Sequence, residues 1–202
     1  MSGKPLRLGV FGGAFDPPHT GHVALAQLAA QQLQLDELRI FPTGQAWHKS
    51  RPLTDATHRL AMARLAFADV PRTVVDARET LRNGPTYTVD TLRELAAEHA
   101  GAQLFLLMGE DQALALPSWH AWREVVQLAI ICVAGREDAA TAGTRFTPPA
   151  GLESRFCKLQ LPAMPVSATE IRSQIAHPTG AAPMVAPAVA RYIALNHLYQ
   201  TA

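Results

Sequence analysis

Residues 12–22 read GGAFDPPHTGH and separate an apolar run, Leu6–Phe11, from a helical pattern, Val23–Leu33. The apolar run is typical of a buried strand, so a glycine pair and an H-x-G-H lie between a first strand and a first helix. In α/β proteins phosphates bind at this point, because free backbone N–H groups and the positive end of the helix point at the anion. Two imidazoles added there predict chemistry on the phosphates as well as binding.

The rest of the chain alternates short apolar runs with longer helical patterns. Strands are predicted at Leu6–Phe11, Leu38–Phe41, Thr73–Val75, Leu104–Met108, Leu128–Val133 and Cys157–Leu161. Further helices are predicted over Ala56–Ala68, after Thr88, from near Ala121 to Leu128, from Ser167 to Ala176 and over Ala188–Leu198. This β-α-β-α order predicts the α/β class, with a doubly wound parallel sheet whose ligands bind at the carboxyl ends of the strands. We expect a single domain over residues 1–202, with a C-terminal helical part, about 165–202, packed on it.

Composition limits the partners of the protein. The 202 residues are 48% hydrophobic and 17% charged, which is typical of a compact globular protein. A net charge of +1 gives no reason to expect a nucleic acid partner. The longest apolar run, Leu128–Ala134, is far too short for a membrane span, and no signal peptide is visible, so we expect a cytoplasmic protein. Cys132 and Cys157 are distant in sequence and lie in apolar surroundings, which predicts buried free thiols in a reducing compartment.

His19 and His22 are the strongest candidates for catalysis. Their i, i+3 spacing places both on one side of the first helical turn, where they can supply hydrogen-bond donors to a phosphoryl or nucleotidyl transfer. One alternative is an ordinary helix start with incidental histidines, which the adjacent glycines and the preceding strand make the weaker interpretation. Another is a zinc site, but a credible third ligand is missing, so we predict no metal bound directly by the protein.

Other candidates are weaker when each is taken alone. Ser167-Ala168-Thr169-Glu170 is a capping box, and with Arg172 it could either hold an anion or simply start a helix. His48 and Lys49 follow the second strand and could hold a phosphate or lie solvated in a loop. Trp119 could stack on a heteroaromatic ring or only pack. Asp111, at the end of a strand, could bind a ribose hydroxyl or cap a helix.

Four segments together resemble one known family over nearly the whole chain. They are GGAFDPPHTGH (12–22), GPTYTVDTL (84–92), MGED (108–111) with Trp119 and Trp122, and SATEIR (167–172). The chain resembles the bacterial nicotinate-mononucleotide adenylyltransferases of the H-x-G-H nucleotidyltransferase superfamily. The first and last segments mark the superfamily, and the middle two mark its pyridine mononucleotide branch.

The resemblance implies a Rossmann-like nucleotidyltransferase fold and a reaction of ATP with nicotinate mononucleotide. The products would be nicotinate adenine dinucleotide and pyrophosphate, in NAD biosynthesis, with Mg²⁺ accompanying ATP. The catalytic residues implied are His19, His22 and Arg172. The residues implied for ATP are Gly12, Gly13, Phe15, Gly109, Asp111, Ser167 and Thr169. The residues implied for the mononucleotide are His48, Lys49, Thr86, Tyr87 and Trp119, with Trp119 stacking on the pyridine ring.

One loop departs from the family pattern, because Ala46-Trp47 replaces the two prolines that precede the basic pair. Prolines restrict a loop and alanine does not, so the path of this loop is open. The alternatives to the main hypothesis are a nicotinamide-mononucleotide or phosphopantetheine adenylyltransferase and a non-catalytic nucleotide-binding regulator. An RNA-binding module is disfavoured, because the sequence has no basic stripe. The partners expected are small molecules, and the protein is expected to be a monomer or homodimer.

Overall fold

The computed structural model describes residues 4–45, 52–136, 146–162, 166–177 and 184–200. These residues fall into two compact units, each built from three segments of the chain. Unit 1 draws on Met1–Gly12, Leu28–Arg39 and Tyr87–Ala163, and unit 2 draws on Gly13–Gln27, Ile40–Thr86 and Met164–Ala202. The division does not test whether residues 1–202 form a single domain, so the single domain stays a prediction.

Six strands form one parallel sheet flanked by helices. They are β1 (Arg7–Gly13), β2 (Glu37–Pro42), β3 (Thr73–Val75), β4 (Gln103–Gly109), β5 (Ala129–Arg136) and β6 (Phe156–Leu161). Their order across the sheet is β3-β2-β1-β4-β5-β6, so the chain starts in the middle and winds outward in both directions. The predicted doubly wound α/β fold is confirmed.

The neighbouring strands β1 and β4 mark the point at which the strand order reverses. They run parallel, with Val10 opposite Leu106, so their carboxyl ends at Gly12 and Gly109 lie on the same edge of the sheet. Residues 104–108 are all buried, as expected for a parallel strand that is covered on both faces. Ligands of doubly wound folds bind at this edge, next to the reversal point.

Eight α-helices complete the described part of the chain. They are α1 (Thr20–Gln32), α2 (Ala56–Phe67), α3 (Arg78–Leu81), α4 (Thr88–Glu98), α5 (Glu110–Ala115), α6 (Trp122–Leu128), α7 (Ala168–Ala176) and α8 (Pro187–Leu195). In unit 1, α4 packs against α6, and in unit 2, α2 packs against α8. Within the described ranges, none of the helices combines the length and the hydropathy that crossing a membrane requires.

Several predicted boundaries differ from the observed ones, three of them for an identifiable reason. Helix α1 begins at Thr20 rather than Val23, so the H-x-G-H forms its first turn. Helix α8 ends at Leu195 rather than Leu198, because His197 and Tyr199 have φ of 51° and 63°, in the left-handed region that an α-helix cannot continue. Strand β5 begins at Ala129 instead of Leu128, because Leu128 is the last residue of helix α6. The short helices α3 and α5 were not predicted.

Candidate active site

The turn between β1 and α1 is built around the side chain of Phe15. This residue has φ of 47° and is only 1% exposed, with its ring edge-on to Phe67 and to His22 at centroid distances of 5.5 and 5.1 Å. A Cβ placed on Gly13 would lie 2.9 Å from the Phe15 ring, so only glycine lets that ring cover the backbone. A Cβ on Gly12 would meet nothing within 4 Å. The aromatic ring therefore fixes the turn, and Gly12 leaves the backbone beside it open.

His19 and His22 form a stacked pair at the start of α1. Their ring centroids are 3.7 Å apart with an interplanar angle of 29°. The backbone N–H of His19, at the N-cap position, donates to Nδ1 of His22 at 3.1 Å. His22 thus takes the part that a glutamate plays in a capping box. Because Nδ1 accepts this hydrogen bond, the proton of the neutral His22 ring is assigned to Nε2.

Burial keeps both imidazoles neutral at pH 7. Desolvation lowers the pKa of His19 from 6.5 to about 4. The pKa of His22 is lowered well below its ordinary value by burial and, secondarily, by charge repulsion from His19. Two buried polar atoms of this turn, Nδ1 of His19 and Oγ1 of Thr20, have no hydrogen-bond partner among the described residues. The pair offers neutral donors that an anionic ligand would draw toward the charged form.

The N-terminus of α7 lies against the same turn. A Cβ on Gly21 would be 3.0 Å from Cγ1 of Val166 and 3.2 Å from the His19 ring. The glycine of the H-x-G-H therefore lets the Val166 side chain pack closely against the helix start. The N–H of Thr20 also donates to the carbonyl of Met184 at 3.0 Å. Unit 2 therefore holds this segment, residues 13–22, from two sides, through the residues that precede α7 and α8. We call it the histidine turn.

Arg172 joins α7 to the turn that leads to His19. Its Nη1 donates to the carbonyl oxygen of Asp16 at 2.8 Å, and its Nη2 donates to Oγ1 of Thr169 at 3.1 Å. Ser167 caps the helix by accepting from the N–H of Glu170 at 3.2 Å and donating to that residue's Oε2 at 2.9 Å. The predicted N-cap at Ser167 is confirmed, with Glu170 bonded to the serine hydroxyl, and Arg172 lies beside the histidine turn.

A buried carboxylate, that of Asp16, fixes the turn through two hydrogen bonds. Asp16 is 2% exposed, and its Oδ1 accepts from the hydroxyl of Tyr199 at 2.7 Å while its Oδ2 accepts from the N–H of Thr54 at 3.3 Å. Burial, with the hydrogen bond to Asp16, raises the pKa of Tyr199. The residues after α8 thus help to fix the backbone whose carbonyl holds Arg172.

A buried arginine connects three loops of unit 2. Arg59 is 1% exposed, and its guanidinium donates to the carbonyls of Thr54, Ala14 and Gly44 at 2.8, 2.9 and 3.1 Å. Ala14 belongs to the turn after β1, and Gly44 to the turn after β2. A Cβ on Gly44 would clash with the carbonyl oxygen of Glu79, so this second turn also needs glycine.

The ribose candidates lie in unit 1, where β4 leads into α5. A Cβ on Gly109 would lie 2.7 Å from Oδ1 of Asp111, so the missing side chain lets that carboxylate fold back over the strand end. Oδ2 of Asp111 accepts from Nε2 of Gln112 at 3.0 Å, and the residue is exposed. Asp111 lies in the first turn of α5, which is compatible with both interpretations of its role.

The pyridine candidates are also placed. In unit 1, Trp119 is partly exposed in the turn before α6, and the Tyr87 ring lies 4.4 Å from that of His120. In unit 2, Thr86 is buried, and its Oγ1 has no hydrogen-bond partner within the described ranges. The predicted pair His48 and Lys49, with the Ala46-Trp47 departure, lies outside the described residues.

The sequence of the chain identifies its family. Residues 10–174 match the family model described as Cytidylyltransferase-like. The chain belongs to the Cytidylyltransferase-like family. A protein of Albidiferax ferrireducens named "Probable nicotinate-nucleotide adenylyltransferase" is 60% identical over 196 residues, which cover 97% of this chain and 99% of the relative. A protein of the same name from Methylibium petroleiphilum is 44% identical over 207 residues, which cover 98% of this chain and 95% of the relative.

Solved structures agree with this fold. The Plasmodium falciparum nicotinic acid mononucleotide adenylyltransferase complexed with NaAD has a TM-score of 0.76 at 17% identity, over 96% of this chain and 97% of that one. Its complex with APC has a TM-score of 0.74 at 16% identity and the same coverage. At such identities the likeness concerns the fold alone.

In this member of the Cytidylyltransferase-like family, unit 2 brings the catalytic candidates around one turn. His19, His22 and Arg172 all contact the segment between β1 and α1 or belong to it. Phe15, predicted to line the ATP site, is buried in the turn that its ring shapes. The individual ligand roles stay predictions.

Sequence reasoning missed three residues that shape this site: Asp16 as an anchor, Arg59 and Tyr199. A signal existed for Arg59, because Met62 and Ala63, three and four residues later, are apolar and place it on the buried face of α2. A charged residue on such a face indicates a specific set of partners. No sequence signal links Asp16 to Tyr199 across 183 residues.

Proposed function

We propose that this protein transfers the adenylyl group of ATP to nicotinate mononucleotide, giving nicotinate adenine dinucleotide and pyrophosphate in NAD biosynthesis. The observation that carries the proposal is the stacked pair His19 and His22 with Arg172 bound to the same turn. The acceptor is supported by relatives of that activity name at 60% and 44% identity, each aligned over nearly the whole chain.

The reaction is an in-line displacement at phosphorus. A phosphate oxygen of the mononucleotide attacks the α-phosphorus of ATP, a new P–O bond forms, and the bond to the β-phosphate oxygen breaks, so that pyrophosphate leaves. The attacking phosphate is already anionic at neutral pH, so no general base is needed. Catalysis therefore comes from positioning and from stabilising charge on the phosphoryl oxygens.

The residues of the histidine turn meet these needs. The His19 N–H orients the His22 ring by donating to its Nδ1, and in this proposal the proton on Nε2 is donated to a phosphate oxygen of the bound substrate. The guanidinium of Arg172, held by the Asp16 carbonyl and by Thr169, contributes positive charge beside the turn. Ser167 and Thr169 lie at the N-terminus of α7, where backbone N–H groups favour anions. Phosphate binding would raise the pKa of both imidazoles, so their donor strength would rise when ATP is present.

Mg²⁺ belongs to this proposal as part of the substrate MgATP. Among the described residues no group of three or more His, Cys, Asp or Glu could hold a metal ion by itself. A magnesium ion carried by phosphates needs only one or two carboxylates from the protein, and we propose that it arrives with the nucleotide. We assign Gly109 and Asp111 to ribose, and Thr86, Tyr87, Trp119, His48 and Lys49 to the mononucleotide.

Purified protein incubated with MgATP and each of three acceptors tests the proposal. The acceptors are nicotinate mononucleotide, nicotinamide mononucleotide and phosphopantetheine, and the measurements are pyrophosphate release and the mass of the product. We expect the highest kcat/KM with nicotinate mononucleotide and a dinucleotide product. Preference for either other acceptor would reassign the substrate, and ATP binding without turnover on any acceptor would support the non-catalytic regulator. Light scattering on the same sample would test the predicted monomer or homodimer.

A further inference from the structure

Two cysteines lie opposite each other in the sheet of unit 1. Cys132 on β5 and Cys157 on β6 are register partners in parallel strands. Side chains of register partners leave the same face of a sheet, and here the two Sγ atoms are 2.7 Å apart. Both residues are free thiols, as predicted from the sequence, although Cys157 is only partly buried.

The spacing of the strands suits a covalent bond. Neighbouring strands lie about 4.8 Å apart, and disulfides join Cα atoms that are about 4.4–6.8 Å apart. The sulfurs need to approach by less than about 1 Å to reach a bonded distance of about 2.05 Å. Strand β6 is an edge strand, so it can adjust to that approach without displacing a further strand.

The two thiols differ in exposure and in acidity. Cys132 is 0% exposed, and its Sγ lies 3.8 Å from the carbonyl oxygen of Ile130. The pKa of Cys157 is lowered below its ordinary value, because the Cys132 S–H can donate to its thiolate and because Arg7 adds positive potential. The pKa of Cys132 is raised, chiefly by that same hydrogen bond and by burial. Cys157 is thus the thiol that reaches solvent and ionises first, and the buried Cys132 thiol lies in contact with its sulfur.

We propose that Cys132 and Cys157 are an oxidation site at which hydroperoxides convert the two thiols into a disulfide between β5 and β6. The Cys157 thiolate attacks the hydroperoxide, so an S–O bond forms, the O–O bond breaks and an alcohol leaves with a proton from solvent. Cys132 then attacks the Cys157 sulfur, so the S–S bond forms and the sulfenic oxygen leaves as water with the Cys132 proton. Two thiols lose two electrons in total, and the hydroperoxide is reduced to alcohol and water.

The test treats the folded, full-length protein with hydrogen peroxide and then alkylates it under denaturing conditions. We expect the intact mass to fall by about 2 Da with no alkylation, and peptide mapping to find Cys132 linked to Cys157. In Cys132→Ser the sulfenic acid on Cys157 should persist and react with dimedone. In Cys157→Ser the remaining Cys132 should stay reduced and alkylatable, because it is buried.

Unfolding provides the matched control. In urea the two thiols lose their register, so disulfide formation at the same peroxide concentration should be at least about tenfold slower than in the folded protein. Two results would overturn the proposal: both thiols alkylatable after peroxide treatment of the folded protein, or Cys157 oxidised to sulfinic acid with no linked peptide. Equal rates of disulfide formation in folded and unfolded protein would also reject it.

Discussion

Protonation of His19 should destabilise the fold in acid. The native ring resists protonation until about pH 4, whereas in the unfolded chain it takes up a proton near its ordinary pKa of 6.5. Between these values the unfolded state binds more protons, so the free energy of unfolding falls as the pH falls. A pKa shift of this size corresponds to at most about 3 kcal/mol, and because the ring is partly exposed we expect a loss of about 2 kcal/mol.

Comparison with His19→Asn isolates this contribution from other acid-sensitive groups. Asparagine is a favourable N-cap residue, so the variant should keep helix α1 while removing the titrating ring. Urea unfolding of both proteins at about pH 7 and at about pH 4.5 gives the difference directly, and the wild-type protein should lose about 2 kcal/mol more than the variant. A His177→Asn variant, changed at an exposed histidine, should behave as wild type. Equal losses in wild type and His19→Asn, within about 0.5 kcal/mol, would show that protonation of His19 does not destabilise the fold.

Three further substitutions test the contacts around the site. Arg59→Met leaves three carbonyls without their donor and should reduce the free energy of unfolding by about 3 kcal/mol, measured in urea, whereas a loss below about 1 kcal/mol would contradict the role assigned to it. Gly44→Ala places a Cβ against the Glu79 carbonyl and should reduce the free energy of unfolding by about 1–3 kcal/mol. A thermal midpoint equal to that of wild type would show that the backbone of the turn can move to accept the Cβ. Tyr199→Phe removes the hydroxyl bonded to buried Asp16 and should cost about 1–3 kcal/mol; unchanged stability would show that this bond contributes nothing.

The strands were predictable because each is a short apolar run that parallel pairing buries on both faces. β3 was predicted at its observed bounds, and β4 differs from its prediction by one residue at each end. The start of α1 was not predictable in the same way, because the residue before its first turn is His19, which is not one of the usual N-cap residues, and the ring of His22 accepts the His19 N–H in the place of a glutamate. The short helices α3 and α5 contain too few residues for a helical period to show.

Local motifs predicted much of the site, and distant contacts explain the rest. The capping box at Ser167 could be predicted because its donor and acceptor are three residues apart. The bond of Arg172 to Asp16 spans 156 residues, and the contact of Cys132 with Cys157 depends on the register of two strands. Spacing along the chain carries no information about either, because packing decides which distant segments meet.

In the proposed reaction the imidazole of His22 stabilises the transferring phosphoryl group. The most direct measurement is kcat for His22→Ala with saturating MgATP and nicotinate mononucleotide, with circular dichroism and thermal unfolding to establish that the variant is folded. Removing one such donor lowers kcat about 10²-fold or more, and we predict a loss of that size, with His177→Ala retaining wild-type turnover. A folded His22→Ala variant whose kcat stays within about threefold of wild type would contradict the account.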